Sequence, residues 1–208
     1  RLELTRNRLK NSSVLEADGG LMEVNACQRS FWTGARNDGN WVSASAPTAC
    51  GKTYLVLQWL LDQVRANRAR MVVYLAPTRA LVSETETNLR NMLEIAGIGS
   101  DEMRVSSLPL TDEYLAMRES GPSLIAVFTQ ERLHLFANAL SDEMEIDLLI
   151  VDEAHKIGDT KRGVILQDAI ERVVRASPNV RAVFISPATQ NPQTLLDDAP
   201  PSADRRVV

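Results

Sequence analysis

Apolar residues fall into short runs separated by polar turns, and the runs alternate between two periods. Trp41-Val42-Ser43-Ala44-Ser45 alternates like a strand, and Leu57, Leu60, Leu61 and Val64 then repeat at the spacing of one helix face, predicting a helix over residues 53–65. The pair recurs: residues 71–76 form an apolar strand closed by Pro77. A helix opens at Thr78 and runs through Leu89, Met92, Leu93 and Ala96 to Gly97, a C-terminal capping residue. Further strands are predicted over residues 104–107, 124–128, 146–151 and 180–185. They alternate with helices over 111–119, 131–140 and 162–175, the first stopped by Gly121-Pro122. Ahead of these, Leu21, Val24, Cys27 and Phe31 show helical spacing over residues 21–32, between turn signals at Asp18-Gly19-Gly20 and Asn37-Asp38-Gly39-Asn40.

Strands that alternate with helices and are apolar throughout predict an α/β fold: a mostly parallel sheet sandwiched between helices. Ligands of such sheets bind at the carboxyl ends of the strands. The chemically suggestive segments follow predicted strands: residues 46–53, Thr78-Arg79, Thr129, Asp152-Glu153-Ala154-His155 and Ser186-Pro187-Ala188-Thr189.

Ala46-Pro47-Thr48-Ala49-Cys50-Gly51-Lys52-Thr53 lies between strand and helix, which is the setting of a phosphate loop. Backbone N–H groups of Pro47 to Gly51 (proline excepted) and the positive end of the helix dipole converge on an anion. Lys52 reaches terminal phosphates and the Thr53 hydroxyl sits on Mg²⁺. The general pattern begins with glycine, where this chain has Ala46. Asp152, after a buried apolar strand, is placed to hold Mg²⁺ opposite Thr53, and Glu153, one residue on, to act on attacking water. His134 lies on a helix and reads as a packing histidine; alone, His155 would read the same way.

In this order the segments resemble the motifs of superfamily-two helicases. The block around Asp152-Glu153-Ala154-His155 is similar to the first RecA-like domain, a P-loop fold, of a DEAH-type enzyme. His155-Lys156-Ile157-Gly158-Asp159 with Arg162-Gly163 resembles the superkiller-type branch. The resemblance covers residues 22–198. It implies a lead segment over 1–20, an ATP-binding domain over 21–198, and a linker over 199–208 towards a second RecA-like domain, the junction lying in the acidic and proline-rich stretch 197–203. It implies that Gln28, 19 residues before Pro47, reads the adenine edge, and that Thr78, Arg79 and Thr129 hold the backbone of single-stranded DNA or RNA. His155 would couple nucleotide to Ser186 and Thr189. Two bland readings stand beside these: Gln28 as a helix-surface residue, and Thr78 as a helix cap beside a solvated Arg79.

Three departures from the family pattern stand out. Ala49-Cys50 occupies positions where glycine and a small residue are usual, Pro187 sits where the family has serine, and nothing after Thr189 matches a second motor domain. That domain supplies the arginine that stabilises the transferring phosphoryl group. The expectation is therefore an ATP-dependent helicase whose isolated piece binds Mg²⁺ and ATP but turns over weakly or not at all. The rivals are a duplex translocase of a restriction or defence system, a non-catalytic ATP-gated binding module, and a small-molecule kinase. The last is disfavoured by Asp152-Glu153 and Thr78-Arg79.

Composition changes this picture little. A net charge of −4 offers no overall basic field, so nucleic acid must meet a local strip. Two cysteines, one inside the phosphate loop, read as reduced thiols of a cytoplasmic protein rather than a disulfide. Cys50, near a lysine and a helix start, reads either as a reactive thiol protected by ATP or as a small residue filling a tight loop. No apolar run approaches the roughly 18 residues of a membrane span, so no membrane partner is expected. A chain opening on Arg1 reads as a piece of a longer or processed protein.

Overall fold

The computed structural model describes residues 13–15, 21–24, 26–35, 40–45, 52–108, 111–154, 160–187, 196, 199 and 203–207. In chain order the elements are β1 (Ser13–Leu15), β2 (Leu21–Glu23), α1 (Ala26–Gly34), β3 (Asn40–Ser45), α2 (Lys52–Arg65), β4 (Met71–Leu75), α3 (Arg79–Ile95) and β5 (Met103–Ser106). There follow α4 (Thr111–Ser120), β6 (Ser123–Phe128), α5 (Gln130–Leu140), β7 (Leu148–Val151), α6 (Thr160–Ala176), β8 (Arg181–Ser186) and β9 (Asp204–Val207).

Seven strands form one sheet in the order β5-β6-β4-β7-β8-β3-β9. Every pairing in it is parallel. Parallel strands need crossovers, and the crossovers bury both sheet faces. Alternate residues of each central strand therefore enter different layers. Val72, Tyr74, Ile125, Val127, Leu148 and Ile150 pack in the layer that holds the apolar faces of α1, α2 and α3. Met71, Val73, Leu75, Phe128, Leu149 and Val151 pack with α4, α5 and α6. This is why the strands read as continuous apolar runs: β4, β6, β7 and β8 are buried at every position.

Gly97 ends α3 as expected. It has φ +67°, its N–H donates to Glu94 O at 3.1 Å, and Ile98 N–H donates to Leu93 O at 2.9 Å, the paired bonds of a Schellman cap. A side chain at that φ would be strained, which glycine avoids.

Three expectations are corrected. Residues 21–23, read as the start of a helix, form β2, paired antiparallel with β1, a strand inside the expected lead segment. Three residues carry too little periodicity to separate strand from helix, and the pairing decides. The helix starts later, at Ala26. β7 starts at Leu148 rather than at residue 146, because Ile146 N–H is taken by the Ser177 hydroxyl at 2.8 Å instead of by a neighbouring strand. Residues 204–207, read as linker, form β9 beside β3, from Asn40↔Asp204 to Ser43↔Val207. Its sequence, Asp-Arg-Arg-Val, lacks an apolar run because its residues are exposed or half-buried.

Candidate nucleotide and nucleic-acid site

Because the sheet is parallel, the ends of β3, β4, β6, β7 and β8 share one edge. Ser45 ends β3 and Ser186 ends β8 beside it, in register. The Ser45 hydroxyl donates to Pro187 O at 3.1 Å, tying the end of β3 to the Ser186-Pro187 turn. Ser186 is buried. Residues 46–51, which include Pro47, Thr48, Ala49, Cys50 and Gly51, lie outside the described residues, as do His155 and Thr189. α2 begins at Lys52, and Thr53 in its first turn is exposed.

Asp152 and Glu153 follow β7 directly and are half-buried. Asp152 N–H donates to Leu75 O at 2.9 Å, so the ladder with β4 continues one step past the strand. Ile150, two residues earlier, packs in the layer of α2. Strand alternation therefore puts Asp152 on the sheet face that carries the helix starting at Lys52. Its carboxylate is held at both oxygens: Oδ1 accepts from Glu153 N–H at 2.9 Å and Oδ2 accepts from the Tyr74 hydroxyl at 3.1 Å. Glu153 has φ +54°, the left-handed region, which a residue with a Cβ enters only at a cost of about 1–2 kcal/mol. That turn breaks the alternation, so Glu153 does not simply oppose Asp152 across the sheet.

Tyr74 escaped the sequence reading. It is the only polar-tipped residue in Met71–Leu75 and is fully buried. Burial pushes its phenol well above the ordinary value, with the Asp152 charge, the Asp152 hydrogen bond and the Glu153 charge acting in the same direction. The hydroxyl therefore stays protonated and remains a donor. A lone tyrosine in a buried strand is the available signal, since a buried phenol must find an acceptor.

Two helix starts lie on neighbouring strands of this edge. Thr78 caps α3, accepting from Leu81 N–H at 3.3 Å, and Thr129 caps α5, accepting from Arg132 N–H at 3.4 Å. Thr78 and Arg79 are exposed and Thr129 is half-buried. The capping reading of Thr78 thus holds, and its exposure leaves it accessible. Gln28 is half-buried within α1, which packs beside α2 in the same layer.

The donor set fits Mg²⁺, a hard cation that prefers oxygen ligands: a carboxylate at Asp152 and an exposed hydroxyl at Thr53. His134 is not a packing histidine. It is half-exposed, and its Nδ1 lies 2.8 Å from Asp168 Oδ2 across the α5–α6 contact. Sequence could not supply that partner, 34 residues away. A cavity of about 190 Å³ opens at the opposite sheet edge, beside Arg118, Asp142, Asp147 and Asn179, away from all these residues. Among the described residues no helix is long and apolar enough to cross a membrane.

The DExH-box ATP-dependent RNA helicase DExH12 of Arabidopsis thaliana is 29% identical over 188 residues, 83% of this chain and 8% of that protein. The Lhr helicase/probable uracil glycosylase of Mycolicibacterium smegmatis is 29% identical over 163 residues, 70% of this chain and 11% of that protein. The chain thus spans about a tenth of the length of these relatives. In fold, it is similar to Mycobacterium smegmatis Lhr bound to ssDNA and AMP-PNP, with a TM-score of 0.65 and 24% identity over 89% of this chain and 25% of that one. It is also similar to the DEAD-box helicase Mss116 bound to ssRNA and UDP-BeF, with a TM-score of 0.69 and 16% identity over 89% of this chain and 40% of that one. The fold is the expected RecA-like one. With residues 25–197 matching the DEAD/DEAH box helicase family, the chain belongs to that family.

Proposed function

We propose that this chain is the first, ATP-binding motor domain of an ATP-driven helicase that moves on a single strand of nucleic acid. The carrying observation is the position of Asp152, at the carboxyl end of β7 on the face covered by the helix that starts at Lys52, with Glu153 next to it in the chain. In this reading the backbone of residues 46–51 and Lys52 hold the phosphates, and Gln28 reads the adenine. Thr53 and Asp152 hold Mg²⁺, which screens the phosphate charge. Glu153 orients and deprotonates the attacking water; its left-handed turn directs it away from the Asp152 position. His155 relays the nucleotide state to Ser186 and Thr189, and the Ser45–Pro187 bond supports such a link by joining the two segments involved.

Thr78, Arg79 and Thr129 hold the sugar-phosphate backbone of the strand. Helix starts suit phosphate, and such contacts fix position without reading sequence. The relatives of similar fold were bound to ssDNA in one case and ssRNA in the other, and backbone contacts of this kind suit both. The domain reaches from residue 21 through β9, and a second RecA-like domain completes the catalytic site.

The test compares the chain alone with the chain joined to a second RecA-like domain. Alone, it binds a fluorescent ATP analogue with Mg²⁺ and turns over slowly. Joined, turnover rises by roughly 10³-fold or more, and Glu153→Gln removes about 10²–10⁴-fold of it while binding persists. Vigorous turnover by the chain alone, lost on Glu153→Gln, would refute the need for a second domain. Absence of nucleotide binding would refute the reading altogether.

A further inference from the structure

We infer that Tyr74 is a positioning residue for the Asp152 carboxylate, setting the orientation in which that carboxylate meets the nucleotide's Mg²⁺. The inference rests on the reading of Asp152 as a holder of Mg²⁺.

A carboxylate at a strand end has little intrinsic orientation. The terminal torsion of aspartate is broad and roughly two-fold, so rotamer preference does not fix where its oxygens point. Among the described residues two donors hold it. Glu153 N–H takes Oδ1 at 2.9 Å, and the left-handed turn at Glu153 accompanies that bond. The Tyr74 hydroxyl takes Oδ2 at 3.1 Å. With both oxygens engaged from different directions, the carboxylate plane cannot rotate without breaking one bond.

Tyr74 suits this task for three reasons. First, its ring is fully buried, in the layer that also holds Val72, Ala76, Ile150 and the apolar face of α2. A side chain packed on all sides delivers its hydroxyl to one point. Second, Tyr74 pairs with Ile150, two residues before Asp152, and both side chains enter that layer. The length of the phenol spans the two residues and reaches the strand end from below. Third, the phenol is a neutral donor. It orients the carboxylate without adding positive charge that would compete with a cation, as arginine or lysine would. Groups that orient metal ligands in this way affect metal affinity by about 10–100-fold when removed.

A purely structural role makes a different prediction. If the Tyr74 hydroxyl only satisfies itself on a convenient acceptor, removing it lowers thermal stability and leaves the Mg²⁺ requirement unchanged. Tyr74→Phe deletes the hydroxyl and keeps the packing. The measurement is binding of a fluorescent ATP analogue by the 208-residue chain, titrated with Mg²⁺ and repeated in EDTA, below the melting midpoint of each protein. Asp152→Asn serves as the reference variant.

The expected result is that Tyr74→Phe raises the half-saturating Mg²⁺ concentration by about 10-fold or more, while affinity in EDTA is unchanged. Should Asp152→Asn shift the Mg²⁺ requirement and Tyr74→Phe leave it alone, the positioning role is overturned and the assignment of Asp152 survives. Should Asp152→Asn itself leave the Mg²⁺ requirement unmoved, the site reading fails and this inference fails with it. A loss of affinity in Tyr74→Phe that is equal with and without Mg²⁺ also overturns it, because general loosening of the fold would then suffice.

Discussion

The two edges of the seven-stranded sheet use polar side chains differently. At the amino edge they close the fold. Asp147 Oδ2 accepts from Arg70 N–H at 2.7 Å and Met71 N–H at 2.9 Å, capping the start of β4. Arg70 donates to Gly121 O at 2.9 Å, and buried Arg181 donates to Gln63 Oε1 at 2.9 Å and Arg68 O at 3.0 Å. The Ser177 hydroxyl accepts from Ile146 N–H, and the Tyr114 hydroxyl accepts from Glu145 N–H at 2.7 Å and donates to Glu145 O. Most of these bonds end on backbone groups that the strands leave unpaired.

At the carboxyl edge polar groups are held more openly. Asp152 and Glu153 are half-buried, and Thr53, Thr78 and Arg79 are exposed. The amino edge resembles an ordinary satisfied interior. The carboxyl edge leaves these hydroxyls and charges open to solvent, which is how sites differ from scaffolding; left-handed backbone does not separate the edges, since Asn67 and Ser141 adopt it at the amino edge.

Three variants sharpen or break that contrast. The largest effect is expected at Arg181→Met. It strands the Gln63 amide oxygen and the Arg68 carbonyl, so urea unfolding should show a loss of about 2–4 kcal/mol. Nucleotide affinity of the folded protein should not change. A drop in affinity at an unchanged urea midpoint would mean that the amino edge also serves the ligand.

Tyr114→Phe comes next, with an expected loss of about 1–2 kcal/mol near neutral pH. The variant also carries a pH signature. Burial pushes the Tyr114 phenol up from 10.0 to about 12, against opposing contributions from the Glu145 backbone bond and the Arg118 charge. The fold thus favours the protonated phenol. Its contribution is fully present below pH 10 and is lost as pH rises through about 12. The stability gap between the native protein and Tyr114→Phe should narrow over that alkaline window, as read from urea midpoints at each pH. A gap that stays constant from pH 9 to 12 would show that the phenol's protonation is not linked to folding.

Arg172→Ala should do least. Its guanidinium lies 2.8 Å from Asp168 on the outer face of α6, and that hydrogen bond is the main reason the Asp168 carboxyl is held below its ordinary range. Both side chains are about two-fifths exposed, so solvent screens the pair. The expected loss is under about 0.5 kcal/mol, vanishing as acid protonates Asp168. A larger loss would show that the Arg172–Asp168–His134 chain fastens α5 to α6.

Much of this was legible in the sequence because it is local. Apolar period and turn residues identified α2 through α6 and the central strands to within a few residues. Gly97 was legible as a cap because a glycine directly follows the last residue of the apolar helix face, and the chemistry-bearing segments could be assigned to strand ends because each directly follows an apolar run. Local pattern misleads where the deciding partner lies elsewhere in the chain. β9 has no apolar pattern and exists only because β3 offers a free edge. β2 looks helical until β1 pairs with it. Tyr74 is an unremarked strand residue until Asp152, 78 positions later, arrives above it.

By itself, then, the sequence determined the succession of strands and helices, the parallel sheet and the identity of the acids, since these depend on periods and neighbours within a dozen residues. Tertiary structure alone decided which strand lies beside which, that Glu153 turns left-handed, and that a buried phenol grips Asp152. Those outcomes depend on hydrogen bonds and packing between residues far apart in the chain. Local propensity carries no information about such partners until folding brings them together.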